Sequence, residues 1–263
     1  MTMKKSQKSQ GFTLVEILFA LFMGALLVSA IYFVLISGQR SSVGIERKVA
    51  AQGDVRAALE IMSLEVEMAS FNPFFATGIW RPSPADYSGG GTYCTGTSTN
   101  MTFRGIQEAT PTSILVEMDI GQSGAIGDNG SELIRYVLSP DPPDESITRE
   151  TNCGGDQPFL GRPASSTSGA RNVRVINKRL GINNGAGFPA IFRYYDAKNP
   201  ATELFPYSSP AHAGANPADI VNIRRIDITL AVETEEIDPA TRNPRQMIYT
   251  TSVIPRNHVI NIH

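Results

Sequence analysis

Glu16 lies near the start of the run GFTLVEILFALFMGALLVSAIYFVLI, residues 11–36, and the twenty residues from Ile17 to Ile36 carry no charge. An acid inside a membrane-length helix costs roughly 2.5–3.5 kcal/mol even on lenient insertion scales, so it normally has a partner or a job. No base lies within the next turns of the same run. A cut after Gly11 would give Phe12 a positive α-amino group, and the amine of one subunit would neutralise Glu16 of its neighbour. The chemistry offered here is ion pairing between chains. It drives association, because a lone subunit keeps an unsatisfied acid in lipid.

A helix must present Glu16. Twenty residues at ~1.5 Å each span the ~30 Å hydrocarbon core of a bilayer. Lys4, Lys5 and Lys8 precede the run with no acid among them. Positive flanks stay cytoplasmic, which sets the N-terminus inside and everything beyond residue 36 outside. A secretory signal would carry an apolar stretch of only about 7–15 residues before its cleavage site. This run is too long for that, although Val28-Ser29-Ala30 is a passable decoy. A plain signal-anchor fits the length and the flanks but leaves Glu16 unexplained.

Helical character continues past the apolar run. Residues 41–70 contain no proline, and Val55, Leu59, Met62, Val66 and Ala69 follow helical spacing, with Ala58, Ile61 and Met68 widening the stripe. Arg56, Glu60, Glu65 and Glu67 fill the other side, and Asn72-Pro73 ends the element. One helix over residues 12–71 would be ~90 Å long. Gly38, Gly44 and Gly53 mark residues 37–53 as the place for a break or bend.

Beyond Pro73 short strands alternate with long polar connections. Ser113–Asp119, Glu132–Leu138, Ile191–Tyr195 and Arg225–Glu233 read as strands, and Met247–Val253 pairs with Arg225–Glu233 as a hairpin. In Arg225–Glu233 the residues Ile226, Ile228, Leu230 and Val232 face one way and Asp227, Thr229, Ala231 and Glu233 the other, the mark of a sheet with one covered face. The stripe from Val55 to Ala69 is the candidate cover. Residues 88–100, 121–131, 152–170 and 198–218 read as loops.

The string GFTLVE after a short basic leader resembles the class III signal of type IV prepilins and type II secretion pseudopilins. That resemblance implies cleavage after Gly11 by a prepilin peptidase, N-methylation of Phe12, and a packing role for Glu16. Residues 54–71, DVRAALEIMSLEVEMASF, and residues 224–257, RRIDITLAVETEE…IYTTSVIPRN, are similar to minor pilins of the PilW type, the latter also to J-type minor pseudopilins. The implied fold is α+β and pilin-like, a long N-terminal transmembrane and amphipathic helix packed on an antiparallel sheet domain with long loops. The implied division is a leader at 1–11, a transmembrane helix at 12–37, its amphipathic continuation at 38–71 and a β-rich periplasmic or extracellular domain at 72–263.

The implied function is that of a minor pilin that initiates, primes or caps a type IV pilus. Its partners would be other major and minor pilins, the peptidase, an inner-membrane assembly platform and, before assembly, lipid. The implied place is the bacterial inner membrane as a single-pass protein, and the pilus after assembly. A minor pseudopilin of type II secretion is the first alternative. A signal-anchored periplasmic enzyme or binding protein is the second.

The remaining chemistry is sparse. Cys94 and Cys153 lie beyond the membrane helix, where a disulfide closing about 60 residues would contribute perhaps 3–4 kcal/mol; two unpaired thiols are the alternative. His212, His258 and His263 are scattered, no G-x-S-x-G occurs, and Gly89–Gly91 lacks the lysine and hydroxyl of a phosphate loop. Neither enzyme activity nor a cofactor is expected. Asp141, Asp144 and Glu145, or Asp128 and Asn129, have oxygens suited to calcium but not the spacing of a calcium loop, so no metal is assigned. Arg171, Arg174, Lys178 and Arg179 form a short basic cluster. The chain carries a net charge of −2; losing the leader leaves 20 bases against 25 acids, a net of −5. DNA is accordingly not expected as a partner.

Overall fold

The computed structural model describes residues 12–76, 78–80, 105–139, 146–161, 173–205, 217–235, 237–238 and 241–259. The chain forms two compact units, Met1–Glu46 and Arg47–His263. One helix, α1 (Leu14–Glu67), contributes to both. In the first unit its residues 14–46 stand almost entirely exposed, and its most apolar window averages 2.5 in hydropathy. The helix is long and apolar enough to cross a membrane.

Two corrections concern α1. Its helical assignment is uninterrupted through Gly38, Gly44 and Gly53, so no break occurs between residues 37 and 53. It also ends at Glu67, not at Phe71. The last turn tightens, with the Ala69 N–H reaching the Val66 carbonyl, and Ser70 adopts φ 67°. Ser70 is held there from two sides. Its N–H donates to the Glu117 carbonyl at 2.8 Å, and its hydroxyl donates to Nδ1 of the buried His258 at 2.9 Å. The other ring nitrogen of His258 lies 2.8 Å from the Ile220 carbonyl and donates to it. Gly105 lies against the same corner, where a Cβ would collide with the Ser70 backbone.

Among the described residues the second unit contains two antiparallel sheets, where the sequence suggested one. The first is a meander of β1 (Ile106–Ala109), β2 (Ser113–Glu117), β3 (Leu133–Ser139), β4 (Ser146–Thr151) and β5 (Gln157–Leu160). The second contains β6 (Val173–Val175), β7 (Phe192–Tyr195), β8 (Glu203–Leu204), β9 (Arg225–Thr234) and β10 (Gln246–Val253), in the order β10-β9-β7-β8 with β6 also on β9. The β4 and β5 strands and the two-residue β8 arise in or beside stretches whose sequence reads as loop.

The helical stripe packs with both sheets in one core. Val55, Met62, Val66 and Ala69 are fully buried, Ala58 and Leu59 nearly so, and Ala51 extends the stripe one turn earlier. They meet Ile114 and Val116 of β2, Ile134 and Tyr136 of β3, and Ile226, Ile228, Leu230 and Val232 of β9. Ile61 and Met68 do not widen the stripe, because both are more than a third exposed. The reverse face of β2 is covered too. Leu115 joins Leu133, Ile126, Ile79 and Trp80 in a second cluster, so β2 is buried on both sides.

β9 departs from one-sided burial at its C-terminal end. Ala231 and Glu233 are buried as well as the core-facing residues. At the edge of β9 between β6 and β7, the Asn177 side chain accepts from the Ala231 N–H and donates to the Thr229 and Ala190 carbonyls, and Arg179 pairs with Glu233. Glu65 is a further departure. It faces inward and accepts from the Tyr136 hydroxyl and from the Arg149 guanidinium, tying α1 to β3 and β4. Burial, reinforced by the Glu65 charge, pushes the Tyr136 phenol well above its ordinary range.

Candidate assembly site

Thr13 and Glu16 define the start of α1. The Thr13 N–H and hydroxyl both donate to Oε2 of Glu16, at 3.0 and 3.1 Å, and the Glu16 N–H donates back to the Thr13 hydroxyl at 3.3 Å. This is a reciprocal capping box, in which a Thr and a Glu three residues apart satisfy the first orphan donors of a helix. The helix dipole adds a favourable field for a negative group at this end. Within its own chain Glu16 has hydrogen-bond donors in Thr13, which bring no charge to it. Oε1 has no hydrogen bond among the described residues, so one carboxylate oxygen is left to receive an external donor.

Phe12 precedes the cap and is 82 % exposed. Phe12, Glu16, Ala20 and Gly24 line one side of a shallow groove along the helix, and Ile17, Leu21, Ala25 and Ser29 the other. The small residues make it shallow. A Cβ at Gly24 would meet nothing within 4 Å, so no contact inside the chain requires glycine there. The Ser29 hydroxyl is satisfied by the Ala25 carbonyl at 2.8 Å. Gly11 lies outside the described residues.

The other candidate residues scatter. Cys94 lies outside the described residues, whereas Cys153 has φ 60° and packs on the cluster of Ile79, Trp80 and Leu133. Asp141, Asp144, Glu145 and Arg171 lie outside the described residues, as do His212, His263 and Gly89–Gly91. Asp128 and Asn129 belong to a loop organised by two acids. Asp119 accepts the N–H groups of Ser123 and Gly124, and Glu132 accepts those of Gly121, Gly127 and Asn129. A Cβ at Gly121 would meet the end of the Asn129 side chain, which would have to shift. The Asp128 carboxyl is held below its ordinary range, chiefly by the Ser123 hydroxyl. Among the described residues no three His, Cys, Asp or Glu side chains gather as metal ligands. In the basic cluster, Arg179 pairs with the buried Glu233 at 2.7 Å, while Arg174 is exposed on β6.

The Thr13–Glu16 cap is a hydrogen-bonded contact, not a charge pair. Its signal was present as T-x-x-E directly before an apolar run.

No curated protein and no solved structure matches the chain. A family model does match, the prokaryotic N-terminal methylation motif, over residues 6–32. The matched span contains Gly11, Phe12, the Thr13–Glu16 cap and most of the apolar run. Together with the one membrane-length apolar helix among the described residues, it fits a protein anchored in the inner membrane. The chain is thus type IV prepilin-like in its N-terminal segment, on an α+β, pilin-like fold of one long helix with antiparallel sheets.

Proposed function

We propose that the chain is a minor pilin of the PilW type, which initiates, primes or caps a type IV pilus. In this reading a prepilin peptidase cuts between Gly11 and Phe12, and Phe12 is N-methylated. Glu16 then receives the Phe12 amine of an adjacent subunit as the apolar helix leaves lipid for the filament core. The helix would enter the membrane with its N-terminus cytoplasmic and its sheet domain periplasmic. The protein would act by assembling, not by catalysis, and Cys94 would be disulfide-bonded to Cys153 in that oxidising compartment.

The observation that carries the reading is the state of Glu16. One oxygen is used to start the helix and the other accepts no hydrogen bond among the described residues, beside an exposed Phe12. A signal-anchor has no need of an acid at this position. The similarity of residues 54–71 and 224–257 to minor pilins supports the subunit type. So does the size of the domain, whose long connections suit tight repetition poorly.

The test is a strain lacking the chain. Pili should be lost or strongly reduced there, with type II secretion intact. Loss of secretion with normal piliation would instead select a minor pseudopilin, and a strain unchanged in both would sink the assembly reading.

A further inference from the structure

β10 is the outermost strand of its sheet among the described residues. It pairs with β9 from Gln246 opposite Glu233 to Val253 opposite Ile226, with no bulge. The Thr234 N–H donates to the Arg245 carbonyl. Hydrogen-bonded pairs recur at every second residue of an antiparallel ladder. Residues 247, 249, 251 and 253 therefore turn their backbone groups toward β9, and Gln246, Ile248, Thr250 and Ser252 turn theirs outward. Among the described residues no backbone group meets those four.

An edge of this length is normally blunted by charge, proline, a bulge or a covering segment. β10 reads QMIYTTSV, with no charged residue and no proline. The four residues with outward backbone groups are also the exposed ones, and Ile248 is 56 % exposed. Alternation continues one residue past the strand, to Ile254 at 57 %.

We propose that β10 is a strand-addition surface whose occupant is β10 of a second copy of this chain, antiparallel across a two-fold axis. Self-pairing suits this strand because a neutral sequence sets no like charges opposite each other. One register also completes it. With Thr250 opposite Ser252 of the second copy, the outward backbone groups of these two residues meet, while Gln246 extends past the end of the partner's strand. Ile248 then falls opposite Ile254 of the second copy, and symmetry repeats the contact. Each copy covers the isoleucine that the other exposes. Thr251 comes to lie on the axis, facing itself. The inference does not depend on the pilus reading, since it uses only the edge of the sheet.

The register gives a direct test on the full chain in mild detergent. Thr251→Cys should oxidise to a disulfide-linked dimer in about tenfold greater yield than Thr241→Cys in the exposed β9–β10 connection, because facing Cβ atoms are at bridging distance only on the axis. Adding Ile248→Lys to Thr251→Cys should abolish the cross-link, with the thermal melt unchanged. If Ile248→Lys disturbs the melt, Thr250→Lys at the exposed neighbouring position replaces it. Equal cross-linking at Thr251→Cys and Thr241→Cys would overturn the proposal. So would a cross-link that survives a folded lysine variant.

Discussion

Glu16→Ala should abolish incorporation into a filament while leaving leader cleavage intact. The substitution removes the unpaired acid that disfavours keeping the helix in lipid, and so removes the reason to leave it. Two roles of the residue are separable, because the acid also caps its own helix through Thr13. Glutamine fills the same place in a capping box but carries no charge. Glu16→Gln should therefore keep the helix start and still fail to assemble. Immunoblots of sheared filaments and of membranes, compared for the two variants, read this out. Normal incorporation of Glu16→Gln would show that the cap alone matters and that no intermolecular ion pair forms.

The second large effect lies in the sheet domain. Met62→Ala should lower its stability by about 2–5 kcal/mol, the usual loss when a buried methionine leaves a cavity. Met62 is fully buried on the α1 stripe, within the core that both sheets share. Leu64, two residues on, is 56 % exposed, and Leu64→Ala should stay within about 0.5 kcal/mol of the parent. Chemical denaturation of the two variants measures the difference. A larger loss at Leu64 than at Met62 would mean that the helix presents its other face to the sheets.

That contrast shows what was legible in the residues. Helical spacing picked out Val55, Leu59, Met62, Val66 and Ala69, and all five are buried. It over-extended to Ile61 and Met68, since composition does not say how wide a face the sheets cover. Strands with strong alternation, β3, β9 and β10, were readable to within a residue or so. β4 and β5 were not. β4 has only Ile147 as a buried apolar residue, and β5 contains Pro158; partners already in place hold both. Their hydrogen bonds with β3 and with each other fix them, and that information is not local.

Polar contacts were the hardest to foresee. Glu65 was placed with the solvent-facing acids, but it bonds to Tyr136 and Arg149, 71 and 84 residues away in sequence. The Ser70–His258 contact spans 188 positions and fixes the end of α1. Such pairs follow from the fold and leave no periodic trace. The Thr13–Glu16 cap is the opposite case, because its spacing is local.

The central claim is that the matched motif at residues 6–32 is processed as a prepilin leader. Intact-mass measurement of the protein from cells with an active prepilin peptidase tests it most directly. The account predicts a chain that begins at Phe12 and is one methyl group heavier than its sequence. A chain that retains Met1 and the lysine leader in those cells would contradict it.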